Sequence, residues 1–182
     1  GIGAGDAITT GTNNTIMGHH AGSSFSTASS NTIVGGNAGG GSSLGSNNVI
    51  IGKSCNQNNE GQRNVFIGQG AVAYRSGTAT DNVIIGQAAA EFLTNGNHNA
   101  GVGKDVFDDI STGSDNSALG SNAGDTLTTG SNNLFLGHDA FPSSATVSNE
   151  ITLGDTNITK FRIPGLSYTI DDGGRVLVNG TG

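Results

Sequence analysis

The chain has no tryptophan, one cysteine, two prolines and charged residues at only 12% of its 182 positions. A single cysteine, Cys55, excludes an intrachain disulfide, so this is not a small domain held by oxidative staples. Lysine and arginine number seven, scattered singly against a net charge of −7. That excludes the basic stripe needed to hold a phosphate backbone and disfavours adsorption to anionic lipid, so neither nucleic acid nor a membrane surface is expected as a partner. No apolar run approaches the roughly 20 residues that span a bilayer, and membrane insertion is not expected. The scarcity of charge also separates the chain from highly charged disordered tracts. The N-terminal Gly1-Ile2-Gly3-Ala4-Gly5 lacks an initiator methionine, a basic segment and an apolar leader, and already lies in the phase of the repeat described next. The chain therefore reads as a piece cut from a longer repeat protein.

What it has in abundance is glycine, 32 residues, and much of it is periodic. Gly1, Gly18, Gly35, Gly52, Gly68, Gly86, Gly103, Gly120, Gly137 and Gly154 begin successive units of sixteen to eighteen residues. A short fixed period with no helical pattern predicts a parallel β-solenoid, each unit one coil that is stabilised by its neighbours. The fold class is all-β, with about ten 17-residue coils over residues 1–158, about 45 Å long at roughly 4.8 Å per coil, of undetermined handedness. Residues 159–182 break the pattern. Two strands around Asp171-Asp172-Gly173-Gly174 predict a C-terminal cap or exit hairpin that covers the last open edge.

Aligned coils form columns. Asn14, Asn31, Asn48, Asn64, Asn82, Asn99, Asn116 and Asn133 occupy one of them. Asparagine tolerates left-handed backbone and can bond to its own stacked copies, so the column is read as corner and ladder chemistry, ahead of a repeated glycan-binding face. A three-residue apolar run follows each Asn, as in Val49-Ile50-Ile51 and Leu134-Phe135-Leu136, and predicts the strands. Alternation puts the first and third residues on one face and Ile16, Ile33, Ile50, Phe66, Ile84 and Phe135 on the other. A solenoid needs only its inner face apolar. The latter set is therefore assigned outward, to a subunit interface that thins at Gly101 and Ala118; closure about a threefold axis is the simplest solution, although sequence does not separate three copies from two.

Small residues, Ala4, Ala21, Ala38, Cys55, Ala71, Ala89, Val106, Ala123 and Ala140, mark a tight interior bend, and Cys55 among them reads as a buried small hydrophobe rather than a reactive thiol. A bulkier column, Ile8, Phe25, Leu93, Ile110 and Leu127, fills wider interior space. Rows of threonine such as Thr128-Thr129 suggest ice binding, but they are broken at Leu44, Glu60 and Gly77.

Two constellations bear on chemistry. His19, His20, His98 and His138 lack zinc spacing and read as solvated loop residues. Glu91, Asp108 and Asp125 stack in one column, with Asp105 and Asp109 nearby. Carboxylates about 4.8 Å apart either splay into water, which is the reading preferred, or share a hard cation such as calcium; an acid–base pair of a glycosidase is the lesser alternative. No nucleophile elbow or phosphate loop is present, so no enzymatic activity and no cofactor is expected.

The unit Asn-x-x-x-Gly-x-x-Ala-Gly followed by Leu-Thr-Thr-Gly-Ser-Asn-Asn, as in residues 116–133, resembles the repeats of phage tail-fibre and related virion proteins, especially those of cyanophages. It is also similar in logic to the head repeats of trimeric autotransporter adhesins, whose coils are shorter. The resemblance spans residues 1 to about 158 on a low-complexity motif. It implies a homotrimeric fibre located on the virion, acting as shaft or receptor-reaching module in host attachment. Other fibre or baseplate proteins, and a host-surface glycan or protein receptor, would be its partners. A polysaccharide-cleaving trimeric tailspike and a bacterial surface adhesin are the alternative readings.

Overall fold

The computed structural model describes residues 1–41, 44–163, 168–171 and 176–178. Nine short strands, β1 (Thr15–Met17), β2 (Thr32–Val34), β3 (Val49–Ile51), β4 (Val65–Ile67), β5 (Val83–Ile85), β6 (Ala100–Val102), β7 (Ser117–Leu119), β8 (Leu134–Leu136) and β9 (Ile151–Leu153), stack in sequence order. Every neighbouring pair is parallel and in register, residue on equivalent residue. The chain is thus a parallel β-solenoid of about eight turns with one strand per turn, and no helix occurs among the described residues. The stack of nine strands is about 38 Å long at roughly 4.8 Å per step.

Each strand is only three residues long because a glycine ends it. Gly68, for instance, follows β4 with φ +145°, a conformation that L side chains rarely adopt, and a β-carbon there would collide with the carbonyl oxygen of Gly86 in the next coil. The second corner, before each strand, is also left-handed. Asn13, Ser30, Asn47, Arg63, Asp81, His98, Asp115, Asn132 and Asn149 all have φ between 57° and 64°. The left-handed residue is therefore the one preceding the asparagine column, and the column itself does different work.

That work is a continuous amide ladder through the interior. The Oδ1 of Asn82 accepts from both the backbone N and Nδ2 of Asn99, at 2.9 and 3.1 Å, while Asn82 Nδ2 donates to Asn64 Oδ1 and to the carbonyl of Gly96. The same pattern joins Asn99 to Asn116 and Asn116 to Asn133, and Asn14, Asn31, Asn48 and Asn64 continue it downward. At the upper end, Glu150 takes the column position and its backbone N donates to Asn133 Oδ1. From Asn31 to Asn133 the column is almost wholly buried, so each amide satisfies groups that would otherwise be stranded away from water.

The strand faces are the reverse of the sequence expectation. Ile33, Ile50, Phe66, Ile84 and Phe135 are fully buried inside a single chain, and Ile16, half-buried at the open first coil, packs on the same core. They are core residues, not a subunit interface. The reason lies two residues upstream: alternation puts the middle strand residue on the face of the ladder asparagine, and burying that amide row carries the middle residues inward with it. Ala71, Ala89, Ala123 and Cys55 from the small column, and Phe25, Leu93, Ile110 and Leu127 from the bulky one, complete the core. The thiol of Cys55 is buried, and desolvation pushes it up to about 12.

Gly101 and Ala118 are accordingly gaps in the core, not in an interface. The Phe107 ring fills the space: a β-carbon at Gly101 would lie 3.0 Å from its Cδ2, and the ring meets Phe135 edge-on with centroids 6.2 Å apart. Small and large residues trade places between two columns to hold the volume constant.

Beyond the coils, β10 (Lys160–Arg162), β11 (Tyr168–Asp171) and β12 (Val176–Val178) form an antiparallel three-stranded sheet in that order. The expected hairpin corresponds to β11 and β12. Its turn, around Asp172, Gly173 and Gly174, lies outside the described residues.

Candidate functional site

With the middle residues inside, the first and third residues of every strand face outward. Their two columns run Thr15, Thr32, Val49, Val65, Val83, Ala100, Ser117, Leu134, Ile151, and Met17, Val34, Ile51, Ile67, Ile85, Val102, Leu119, Leu136, Leu153. No charged residue interrupts either column. Met17, Leu119 and Ile151 are 62%, 57% and 69% exposed. At three residues wide and nine strands long, the stripe measures about 10 by 38 Å. It is a flat apolar face that a single chain leaves uncovered.

Polar columns border it on both sides. Before the strands stand Arg63, Asp81, His98 and Asp115, one per coil, with Arg63 bidentate on Asp81 at 2.7 and 2.8 Å and His98 Nδ1 3.3 Å from Asp115. The Arg63 guanidinium holds the Asp81 carboxyl below its ordinary value. After the strands stand Lys53, Gln69, Gln87 and Lys104. An apolar centre with a charged and amide rim is the arrangement of a protein–protein interface.

The acidic column lies elsewhere on the coil. Desolvation, reinforced by Glu91, Asp125, Asp109 and Asp105, pushes Asp108 up to about 6. Its Oδ1 is buried without a hydrogen-bond partner. Glu91 and Asp125 are raised as well, each chiefly by desolvation, with Asp105 adding to the first and Asp109 leading the charges on the second. One carboxylate per coil keeps Glu91 and Asp125 two coils apart, so the three do not converge as calcium ligands would. Among the described residues, the set whose ligand atoms all lie within 4.8 Å of one another is His138, Asp139 and Asp155 at the last coil. His138, expected as a solvated loop residue, is thus brought beside two carboxylates. The signal for the cluster was Asp155, which occupies the column of His138 one coil on. Asp139 is already engaged by Asn122 Nδ2 at 2.7 Å, and Asp155 by the backbone and side chain of Asn157.

No known protein family matches this chain, and no curated protein or solved structure shows significant similarity to it.

Proposed function

We propose that the chain is a structural and adhesive shaft module of a virion tail fibre, assembled as a homotrimer and serving host attachment. The observation that carries the reading is the uncharged two-column face of β1–β9. Its ridges repeat at the coil spacing, so the surface that matches it along its whole length is another copy of the same stripe, aligned in parallel and closed by rotation. A standard interface takes about 800 Å² per partner, and the stripe with its polar borders supplies a continuous strip of that order. Repeated coils then give length, and the ends of the stack meet other fibre or baseplate proteins.

The test is the mass in solution by light scattering. About three times the 18.1 kDa of one chain is expected. Val102→Lys with Leu119→Lys should release monomers that keep their β-sheet circular dichroism, because both side chains face water in one chain. A monomeric parent would overturn the reading.

A polysaccharide-cleaving tailspike is the second reading, favoured by one observation: Asp108, half-buried beside other carboxylates with one oxygen unpartnered, is raised to about 6 and so keeps its proton into mildly acidic water, as a general acid does. It requires reducing ends to be released from a polysaccharide by the parent and lost in Asp108→Asn.

A further inference from the structure

We propose that the outward aromatic pair Tyr74 and Phe92, with the grooves on its two sides, binds a neutral oligosaccharide. The two residues occupy the same column in consecutive coils, midway in sequence between strands, followed by Asp109 in the next coil. Their backbones are fixed by coil-to-coil bonds: Tyr74 N donates to the Glu91 carbonyl and Phe92 N to that of Asp108. The flanking Leu93 is buried and Ala73 nearly so, which turns both rings outward. They stack with centroids 5.8 Å apart and planes at 27°, and the Arg75 guanidinium sits 5.4 Å from the Phe92 centroid. A ring that merely stapled the wall would be covered by it, yet Tyr74 remains 62% exposed.

The pair forms a ridge between two polar grooves. One, of about 480 Å³, is lined by Arg75, Phe92, Thr94, Asp109, Ser111 and Thr128; the other, of about 320 Å³, has Tyr74 on its wall with Gln69, Gln87 and Glu91. The hydroxyls of Thr94, Ser111 and Thr128 each donate to a carbonyl of the next coil, at 2.9, 3.1 and 2.9 Å. Their hydrogens are spent, so their oxygens stand one coil apart as a row of acceptors. Aromatic faces pack against the C–H faces of pyranose rings. Carboxylate and hydroxyl acceptors, with amide and guanidinium donors, meet the equatorial hydroxyls, and the roughly 4.8 Å coil rise offers one position per sugar unit. Asp109 in one groove and Glu91 in the other put a carboxylate on each side of the ridge, which selects an uncharged glycan over an acidic one and over nucleic acid.

This site rests on the adhesive reading above for its role, but not on the assembled state. The test uses the whole chain, with maltohexaose, cellohexaose, chitohexaose, mannohexaose and, as the acidic control, oligogalacturonate, followed by saturation-transfer NMR. At least one neutral hexasaccharide should receive saturation from aromatic protons, and Tyr74→Ala with Phe92→Ala should weaken its binding at least tenfold while the circular dichroism is unchanged. No transfer to any neutral sugar, binding only to oligogalacturonate, or binding that survives the double substitution would overturn the proposal. Light scattering on the same samples separates the two readings: sugar binding by a monomer removes the trimeric fibre and leaves the site, whereas a trimer that ignores sugar does the reverse.

Discussion

Two columns of this solenoid use one geometric device with opposite results. The asparagine ladder and the acidic column each place like side chains one coil apart, yet the first binds the stack together and the second strains it. An amide carries a donor and an acceptor, so Asn82 can give to Asn64 and receive from Asn99 without limit along the axis. An ionised carboxylate only accepts, so Asp108 finds nothing to share with Glu91 or Asp125, and one of its oxygens is buried without a partner. Stacking in register multiplies whatever a single side chain can do for its own copy.

Exchanging the two chemistries gives the largest effect. Asn82→Asp places a carboxylate against the Asn64 oxygen and the Gly96 carbonyl in the buried interior, and should cost about 3–5 kcal/mol at neutral pH, read by denaturant unfolding. Removing the group instead, in Asn99→Ala, strands the Asn116 backbone N and the Gly113 carbonyl for a loss of about 2–3 kcal/mol by the same measurement. The opposite exchange should stabilise: Asp108→Asn is expected to gain about 1 kcal/mol at pH 7, a figure reduced for the water that reaches this half-buried group.

The pH dependence follows from the same residue. Its folded value of about 6 exceeds the ordinary 3.8, so between those values the folded chain holds a proton that the unfolded chain has lost. The contribution of Asp108 is therefore complete below about pH 4 and disappears as pH rises through 6. The difference in stability between parent and Asp108→Asn should grow over that window and level off above it. The smallest effect is that of Asp125→Asn, more open to water: a gain of a few tenths of a kcal/mol, which a melting curve at low salt would resolve.

Much of this was visible in the residues. Period, parallel coils and strand positions follow from the glycine and asparagine spacing, and the stacked acids follow from column alignment. The direction of the strand face was not visible while Ile50 and Ile51 were compared by hydrophobicity alone, because both neighbours are apolar. Counting two residues back to Asn48 would have settled it, since a buried amide row and the middle strand residue share a face. The filling of the Gly101 gap by Phe107 was hidden for a different reason: the compensating ring belongs to another column, and only three-dimensional packing links them. Tyr74 and Phe92 are not legible in the repeat, because an alignment of coils shows what recurs and an outward aromatic pair on this scaffold does not recur in the neighbouring coils.

Within the coils, the side-chain contacts of the amide ladder span sixteen to eighteen residues, one circuit of the chain, and almost never more. Tension applied along the axis would therefore be borne by the coils in series, each interface carrying the whole load in turn. Such a rod opens one circuit at a time, beginning at its weakest neighbouring pair, and its rupture strength is set by that pair rather than by its length.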